Sequence, residues 1–249
     1  MFPYEPELTS TQEHKPETMG KEDVKILGVW ASPFVMRPRI ALNLKYVEYE
    51  FLVENMSSKS ELLLKSNPVH KMIPVMIHHG KPICESLIIV QYIDEAWPSG
   101  PSILPSDPVD RATARFWGAY FEEKFIPAFR GINAAPDEEA RKAAAEKLSE
   151  VLLVLEDAYT KLSNGKPFFG GDFIGYVDIV FGSYLGWIRG LSKLDGLNLL
   201  DGSKFPGLVK WADNFCSDPA VKDVMPETDK IVEFAKGVRE RMRAAVQPK

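Results

Sequence analysis

Apolar and polar positions follow two different periods along the chain, and the change between them divides it in two. Between residues 24 and 97, short apolar runs alternate with amphipathic stretches. This pattern predicts strands over residues 24–30, 49–53, 73–77 and 82–84, and helices over residues 33–45 and 87–93. A turn around His79-Gly80-Lys81 joins the last two strands into a hairpin. The order of these elements indicates a small α/β domain with a mixed sheet.

The rest of the chain carries only helical signals. Apolar residues recur every three to four positions between Leu148 and Leu162, which predicts a long amphipathic helix. Residues 176–190 are more apolar and predict one buried helix, and residues 205–217 and 229–245 predict two more. Because prolines are dense over residues 99–108, we expect that segment to link an α/β domain at 23–98 to an all-helical domain at 109–249.

Composition excludes several classes of partner. The 249 residues are 45% hydrophobic and 26% charged, with a formal net charge of −5, so no basic excess points to nucleic acid. No apolar run approaches the ~20 residues of a membrane helix. Two separated cysteines, Cys84 and Cys216, fit a reducing compartment better than a disulfide framework. Residues 1–22 carry no signal-peptide or transit-peptide pattern, so we expect a disordered extension and a cytoplasmic protein.

Candidate chemistry begins at the junction of the first strand and the first helix. Ser32 falls at the expected N-cap and Pro33 at the first helical position. A helix N-terminus favours negative charge and lowers the pKa of a thiol held there. Serine most often only caps the helix, so Ser32 is either a simple cap or a hydrogen-bond donor to a bound thiolate.

Two further features of the first domain bear on that choice. Ile73-Pro74 stands at the mouth of a strand, and a cis bond there would turn the Ile73 backbone outward to pair with an extended peptide. Glu85-Ser86 opens another helix, whose start could hold a carboxylate and an amine together. Combined with Ser32, these features predict a cradle for a short acidic peptide that carries a thiol.

The same residues lie within the longest motifs of the chain. These are Ala-Ser-Pro-Phe-Val-Met-Arg at 31–37, Asn-Pro-Val-His-Lys at 67–71, Ile-Pro-Val at 73–75 and Gly-Lys-Pro-Ile-Cys-Glu-Ser-Leu-Ile-Ile-Val-Gln-Tyr-Ile-Asp-Glu at 80–95. In these motifs the chain resembles the plant tau-class glutathione transferases, and the resemblance continues to residues 177–179. It implies an α/β thioredoxin-like N-terminal domain, ordered β-α-β-α-β-β-α with a mixed four-stranded sheet, followed by an all-α C-terminal domain.

The resemblance also implies roles for individual residues in binding glutathione. Ser32 would be the catalytic serine that donates a hydrogen bond to the glutathione sulfur, with Phe34 close by. The remaining contacts would come from Lys59 to the glycyl carboxylate, from the Ile73 backbone and the cis Pro74 to the cysteinyl unit, and from Glu85 and Ser86 to the γ-glutamyl end.

Between the two domains, the resemblance implies a pocket for an apolar electrophile. Its walls would come from Phe34, Tyr120, Lys124, Trp187, Phe234, Val238 and Arg241. Glutathione would be a co-substrate with no permanently bound cofactor, and the protein would be a homodimer formed through the helix that ends near Trp97 and the helix that begins near Arg111. Met72 departs from the family pattern, because many tau-class sequences have lysine there. We therefore expect weaker glutathione binding than a lysine would allow.

Several residues have plainer interpretations. His70, His78 and His79 lack metal-ligand spacing, so we expect surface histidines and no metal site. Cys84 is expected to be a small buried apolar residue, and Asp178 a structural carboxylate that binds backbone N–H groups.

The resemblance implies an enzyme that conjugates the glutathione thiolate to small hydrophobic electrophiles. Other functions remain as alternatives to this conjugation. One is a non-catalytic carrier of hydrophobic metabolites. A thiol exchanger similar to glutaredoxin would need cysteine at position 32 and is disfavoured. Reduction of organic hydroperoxides would be a side activity of the enzyme.

Overall fold

A four-stranded mixed sheet organises the N-terminal domain. The computed structural model describes residues 23–246, with side chains described to residue 241, so the predicted extension over residues 1–22 lies outside it. The strands are β1 (Val24–Gly28), β2 (Glu50–Val53), β3 (Val75–His78) and β4 (Lys81–Cys84). They lie in the order β2-β1-β3-β4, with β1 parallel to β2 and antiparallel to β3, and β3 antiparallel to β4.

Three helices cover the two faces of this sheet: α1 (Pro33–Leu44), α2 (Glu61–Ser66) and α3 (Ser86–Ala96). Successive strand residues point to opposite faces of the sheet. Ile26 therefore packs on the face covered by α1 and α3, whereas Leu27 packs on the other face against Leu63 of α2. The α2 helix lies in the polar segment where apolar periodicity alone showed no element. The order β-α-β-α-β-β-α is therefore confirmed.

Over its described residues, the regular elements of the C-terminal domain are helices, joined by loops that include one isolated bridge between Phe168 and Gly171. Its elements are α4 (Pro108–Tyr120), a π-helical turn (Phe121–Phe125), α5 (Ile126–Ala134), α6 (Glu138–Ser163), α7 (Tyr176–Gly182), α8 (Leu185–Asp195), α9 (Pro206–Ser217), α10 (Pro219–Lys222) and α11 (Thr228–Val246). The α4 helix, the π-helical turn and α5 run on without interruption.

One predicted helix, over residues 176–190, is wrong, because the chain breaks it between α7 and α8. The Ser183 hydroxyl donates to the Val180 carbonyl, and the Tyr184 N–H bonds the Phe181 carbonyl three residues back. A serine that bonds its own helix backbone competes with the regular ladder. Apolar periodicity cannot reveal this break, because the residues on both sides of it are buried and apolar.

Asp178 closes the start of α7. Its carboxylate accepts hydrogen bonds from the N–H groups of Phe169 (2.8 Å), Gly170 (2.9 Å) and Gly175 (2.9 Å) and from Nε1 of Trp211 (2.7 Å). The side chain is fully buried, and this burial raises its pKa to about 6, although the four donors act in the opposite direction. The predicted structural role of Asp178 is confirmed.

The two domains share one apolar core and a fixed connection. Asp94 of α3 accepts from the N–H groups of Ile103 and Leu104, each at 2.9 Å, and its carboxylate lies 2.7 Å from Nζ of Lys45. Residues of α1 and α3 pack in the same cluster as those of α4 and α7. The site described next lies where β1 meets α1, beside the helices of the second domain.

Candidate functional site

A cavity of about 570 Å³ opens where the chain passes from β1 into α1. Ser32 and Phe34 lie on one side of it, Met72 and Ile73 on a second, and Trp187 from α8 on a third. A larger cavity of about 790 Å³ lies at the other end of α1, next to α10, and none of the predicted site residues lines it. The smaller cavity is therefore the candidate site because predicted site residues line it, although it is not the larger of the two.

Ser32 occupies the N-cap position of α1, but its side chain does not cap the helix. The backbone of Ser32 is extended, with φ −79° and ψ 120°, and its carbonyl accepts from the N–H groups of Val35 and Met36. Pro33 has no N–H to satisfy, and the first turn of α1 contains no acidic residue. The hydroxyl and the positive end of the helix are both left for a bound anion. Simple capping, the competing interpretation of Ser32, is wrong.

The strand mouth has the predicted backbone geometry. The Ile73-Pro74 peptide bond is cis, and Ile73 lines the cavity. Asn67 supports the approach to this bond, since its Nδ2 donates to the Met72 carbonyl at 3.0 Å.

Glu85 precedes α3 in an unusual conformation, with φ 71° and ψ 115°, and its side chain does not cap the helix. Positive φ is rare for a residue other than glycine and is found at functional sites. Ser86, the first residue of α3, is buried, and its hydroxyl accepts from Nη1 of Arg37 at 3.0 Å. Glu85 and Ser86 do not line the cavity, and α3 is a further helix whose N-cap side chain leaves the first turn unbonded.

Lys59 and Met72 meet at the rim of the cavity. Nζ of Lys59 lies 3.9 Å from Sδ of Met72, and the Met72 side chain is half exposed. Lys59 itself does not line the cavity, but its ammonium lies next to Met72, which does. Position 72, where the resemblance led us to expect lysine, therefore lies beside Lys59, the predicted ligand of the glycyl carboxylate.

Four of the seven residues predicted for the electrophile pocket line the cavity: Phe34, Trp187, Phe234 and Arg241. Nε1 of Trp187 donates to the carbonyl of Ala31 at 2.6 Å, which ties α8 to the residue before Ser32. The Trp187 and Phe234 rings meet edge to face, with centroids 6.0 Å apart. Together they form an aromatic wall of the cavity that Ser32 also lines.

The other three do not line this cavity. Tyr120 packs edge to face on Trp117, and burial raises the pKa of its hydroxyl. Lys124 is exposed, and Val238 is partly buried on α11. All three were predicted only through the resemblance. Tyr120 and Lys124 lie where α4 continues into the π-helical turn, and Val238 lies on α11.

Several residues near the site escaped the sequence analysis, among them Trp30, Met56 and Arg37. Trp30 packs against Phe234 with centroids 5.6 Å apart, and Met56 lines the cavity. Arg37 is fully buried beside Phe34. Trp30 could have been found from the sequence, because it stands directly before the Ala-Ser-Pro motif.

Other reactive groups lie elsewhere. Cys84 is partly buried, its Sγ lies 3.5 Å from the Ser66 carbonyl, and burial raises its pKa, so this thiol is a poor nucleophile. His78 and His79 stack on each other at 4.2 Å. Over the described residues, no three His, Cys, Asp or Glu side chains are grouped to hold a metal ion. In the same part of the chain, no helix has the length and apolar content to cross a membrane.

Comparison with known proteins agrees with this geometry. Residues 22–95 match the glutathione S-transferase N-terminal domain and residues 112–219 the C-terminal domain. Glutathione S-transferase U17 of Arabidopsis thaliana is 60% identical over 221 residues, covering 88% of this chain and 97% of its own. The probable glutathione S-transferase GSTU6 of Oryza sativa subsp. japonica is 49% identical, covering 86% and 94%.

Solved structures extend the likeness to three dimensions. The tau-class glutathione S-transferase of mango, Mangifera indica, is 64% identical with a TM-score of 0.84, over 87% of this chain and 99% of that one. A rice glutathione transferase crystallised in complex with glutathione is 32% identical with a TM-score of 0.81, over 90% and 99%. The chain therefore belongs to the glutathione S-transferase family of enzymes, and within it to the tau class.

Proposed function

We propose that the enzyme joins the sulfur of glutathione to small apolar electrophiles in the cavity at the start of α1. The observation that carries this proposal is the Ser32 hydroxyl, which is at an N-cap position, is not used by its helix and opens on an aromatic-walled cavity. The first need of the reaction is a thiolate at neutral pH, and the second is an electrophile held beside it.

Ser32 supplies the first need. Its O–H donates to the glutathione sulfur, and the positive end of α1 adds to the stabilisation of the thiolate, so the pKa of the bound thiol falls. The thiol proton leaves to solvent, and the sulfur lone pair forms the new bond to carbon. In a substitution the leaving group departs with the bonding electrons, and no covalent enzyme intermediate is formed.

The rest of glutathione is held by the cradle around the sheet. The Ile73 backbone next to the cis Pro74 pairs with the cysteinyl unit, Lys59 binds the glycyl carboxylate, and Glu85 and Ser86 hold the γ-glutamyl end. Support comes from the cis bond, from the lysine at the rim and from the open start of α3. Each of these groups offers what one end of an extended acidic peptide needs.

The electrophile lies against Phe34, Trp187 and Phe234, with Arg241 at the edge of the cavity. Tyr120, Lys124 and Val238 stay predictions as further pocket residues. This places glutathione on the domain at 23–98 and the electrophile mainly on the domain at 109–249, with residues 99–108 as the linker. Apolar, aromatic compounds fit such a wall best, which suits detoxification of foreign compounds and stress responses.

The site of action and the assembly are further parts of the proposal. We place the enzyme in the cytoplasm as a homodimer formed through α3 and α4. Support for the dimer comes from Ile88 on α3 and from Val109 and Phe116 on α4, which are 56%, 72% and 59% exposed. Exposed apolar residues on neighbouring helices are typical of a surface that another chain covers.

A carrier of hydrophobic metabolites is the second candidate function. Met72 and Met56 supply adaptable apolar surface at the cavity, where a second lysine would favour glutathione. Reduction of organic hydroperoxides is a side activity that the same thiolate could support.

Turnover of the wild-type protein with glutathione and an aromatic halide tests the choice. We expect conjugate to form at a rate that saturates with both compounds. Tight binding of an apolar dye without any turnover would instead support the carrier and contradict the proposal. An organic hydroperoxide in place of the halide measures the side activity in the same assay.

A further inference from the structure

A nearly buried ion pair joins the C-terminal helix α11 to the end of α8. Nη1 and Nη2 of Arg239 donate to Oδ1 and Oδ2 of Asp195, each at 2.6 Å, and Nε donates to Oδ1 of Asn133 on α5 at 2.7 Å. The side chains of Arg239 and Asp195 are only 13% and 4% exposed. All three nitrogens of one guanidinium are therefore engaged, and a bidentate pair of this kind fixes both its position and its orientation.

Asp195 stands where a carboxylate is otherwise unfavourable. It is the last residue of α8, and the C-terminal end of a helix carries the negative end of the helix dipole. Removing this carboxylate from water adds a further cost, which only close partners offset. Nε of Arg141 on α6 also lies 3.6 Å from Oδ1 of Asp195. The end of α8 is thus a point at which charges hold α5, α6 and α11 together.

A different side of α11 forms part of the cavity. Phe234 and Arg241 line it, and they lie on one side of the helix because they are seven residues apart. At 3.6 residues per turn, Arg239 lies about 140° around the helix from Phe234. Between these two directions, Ile231 and Ala235 are fully buried. Apolar contacts are not directional, so the hydrogen bonds of Arg239 are what restrict the rotation of α11 about its own axis.

The rest of the aromatic wall is anchored on the first domain. Nε1 of Trp187 bonds the Ala31 carbonyl, which fixes the ring of Trp187 beside the start of α1. The Phe234 ring meets Trp187 and Trp30 edge to face, with centroids 6.0 Å and 5.6 Å away. One half of the wall is therefore held by α1, whereas the position of the Phe234 ring depends on how α11 is held.

We infer that Arg239 is a positioning residue for the electrophile site: by binding Asp195 and Asn133, it holds α11 in the rotation that presents the Phe234 ring to the electrophile. The inference rests on the proposed role of Phe234 in the electrophile pocket. It makes the affinity for an apolar group on the glutathione sulfur dependent on Arg239. The affinity for glutathione itself is independent of Arg239, because the proposed cradle lies on the other domain.

Two substitutions of Arg239 test the inference. R239M keeps the length of the side chain and removes the fork, while Arg141 still faces Asp195, so the carboxylate keeps a cationic neighbour. R239K keeps the charge, but an ammonium cannot bond both carboxylate oxygens and Asn133 in one plane. Titration calorimetry measures the dissociation constants of glutathione and of S-hexylglutathione, in which a hexyl chain on the sulfur takes the place of the electrophile. The melting temperature measures stability.

We expect the dissociation constant of S-hexylglutathione to rise about fivefold in R239M and about threefold in R239K, because the Phe234 ring is displaced from the chain. That of glutathione should stay within twofold of wild type in both. F234A removes the contact altogether and should raise the S-hexylglutathione value about 10-fold, and R239M/F234A should be no weaker than F234A.

K193M is the matched control. Lys193 pairs with Asp229 and so also joins α8 to α11, but both side chains are exposed. An exposed pair contributes little, so we expect both dissociation constants of K193M to stay within twofold of wild type.

The outcomes separate this inference from the proposed pocket. Wild-type affinity of F234A for S-hexylglutathione would overturn the role of Phe234 and the inference with it. A weakened F234A beside unchanged R239M and R239K would overturn the inference alone. A lower melting temperature with an unchanged ratio of the two dissociation constants would also overturn it, because Arg239 would then be purely structural. If R239M does not fold, R239K gives the same choice between a weakened and an unchanged affinity.

Discussion

Helix starts at the proposed site differ from others in the protein in how the side chain at the N-cap position is used. Where the N-cap residue away from the proposed cradle is a serine or an aspartate, its side chain bonds the first turn of its own helix, as in Ser60 of α2, Asp107 of α4, Asp137 of α6 and Asp218 of α10. At the proposed cradle, Ser32 and Glu85 stand at N-cap positions and do not. Serine occurs in both groups, so residue type alone does not decide between them.

The difference shows how this fold keeps a site available. A capping side chain is worth about 1 kcal/mol of stability. Where it is absent, the N–H groups and the positive end of the helix are free to act on a ligand. The starts left open by Ser32 and Glu85 belong to α1 and α3, which pack together on one face of the sheet. This packing supports the proposal that one peptide is bound by both.

Asp178→Asn tests the start of α7, where a carboxylate within the helix bonds the N–H of the N-cap residue Gly175. The amide would place its NH₂ against N–H donors that now meet a carboxylate, so we expect the free energy of unfolding to fall by about 3 kcal/mol at pH 7.5. Urea denaturation measures the change. Asp172→Asn is the matched control, because Asp172 is exposed and pairs with the exposed Lys166, and it should change stability by less than about 0.5 kcal/mol. Equal stabilities of the two variants would contradict the assignment.

The contribution of Asp178 to the free energy of unfolding should depend on pH. Because the folded pKa of Asp178 is raised from 3.8 to about 6, the folded protein binds more protons than the unfolded chain between these values. The contribution of Asp178 to stability is therefore greatest below about pH 4, falls as pH rises, and levels off above about pH 6, with a total change of up to about 3 kcal/mol. The difference in unfolding free energy between wild type and Asp178→Asn should shrink over this range. A difference that is constant with pH would refute this.

Ser32→Ala and Asp137→Ala compare an open start with a closed one. Without the donor to the thiolate, Ser32→Ala should lower kcat/KM about 100-fold. Its stability should stay within about 0.3 kcal/mol of wild type, since the hydroxyl caps nothing. Asp137→Ala should lose about 1 kcal/mol of stability and keep its activity, because it removes the bond to the Ala140 N–H. Steady-state kinetics and urea denaturation of both variants decide, and an active but unstable Ser32→Ala would reverse the comparison.

The smallest expected effect is that of Met72→Lys, at the rim of the cavity, on glutathione affinity. A second ammonium beside Lys59 should tighten glutathione binding by up to about 1 kcal/mol, roughly fivefold, because the pair with the glycyl carboxylate is partly exposed. Val69→Lys adds the same charge at an 80% exposed position of the same loop and should leave the affinity unchanged. Calorimetric titration with glutathione measures both. Equal affinities in wild type and Met72→Lys would rule out the proposed cost of methionine.

Much of this architecture could be predicted from short stretches of sequence. The four strands, the hairpin and the first and third helices follow from apolar periodicity and turn residues, which depend on neighbours along the chain. The prediction fails for residues 176–190 because the break rests on a hydroxyl at Ser183 within a uniformly apolar segment. The short helix α2 came from resemblance alone, since six residues carry too little periodicity.

At the site, sequence and tertiary structure contributed different parts. The sequence by itself determined that a serine and a proline stand at the start of α1, that an X-Pro bond precedes β3 and that Glu85-Ser86 begins α3. Only the tertiary structure decided that the Ser32 hydroxyl is left free by its helix, that Arg37 is buried on Ser86, and that Trp187 bonds the Ala31 carbonyl from 156 residues away. The reason is physical: helix and strand signals come from neighbouring residues, whereas the use of a polar side chain depends on which distant groups the fold brings within hydrogen-bond distance.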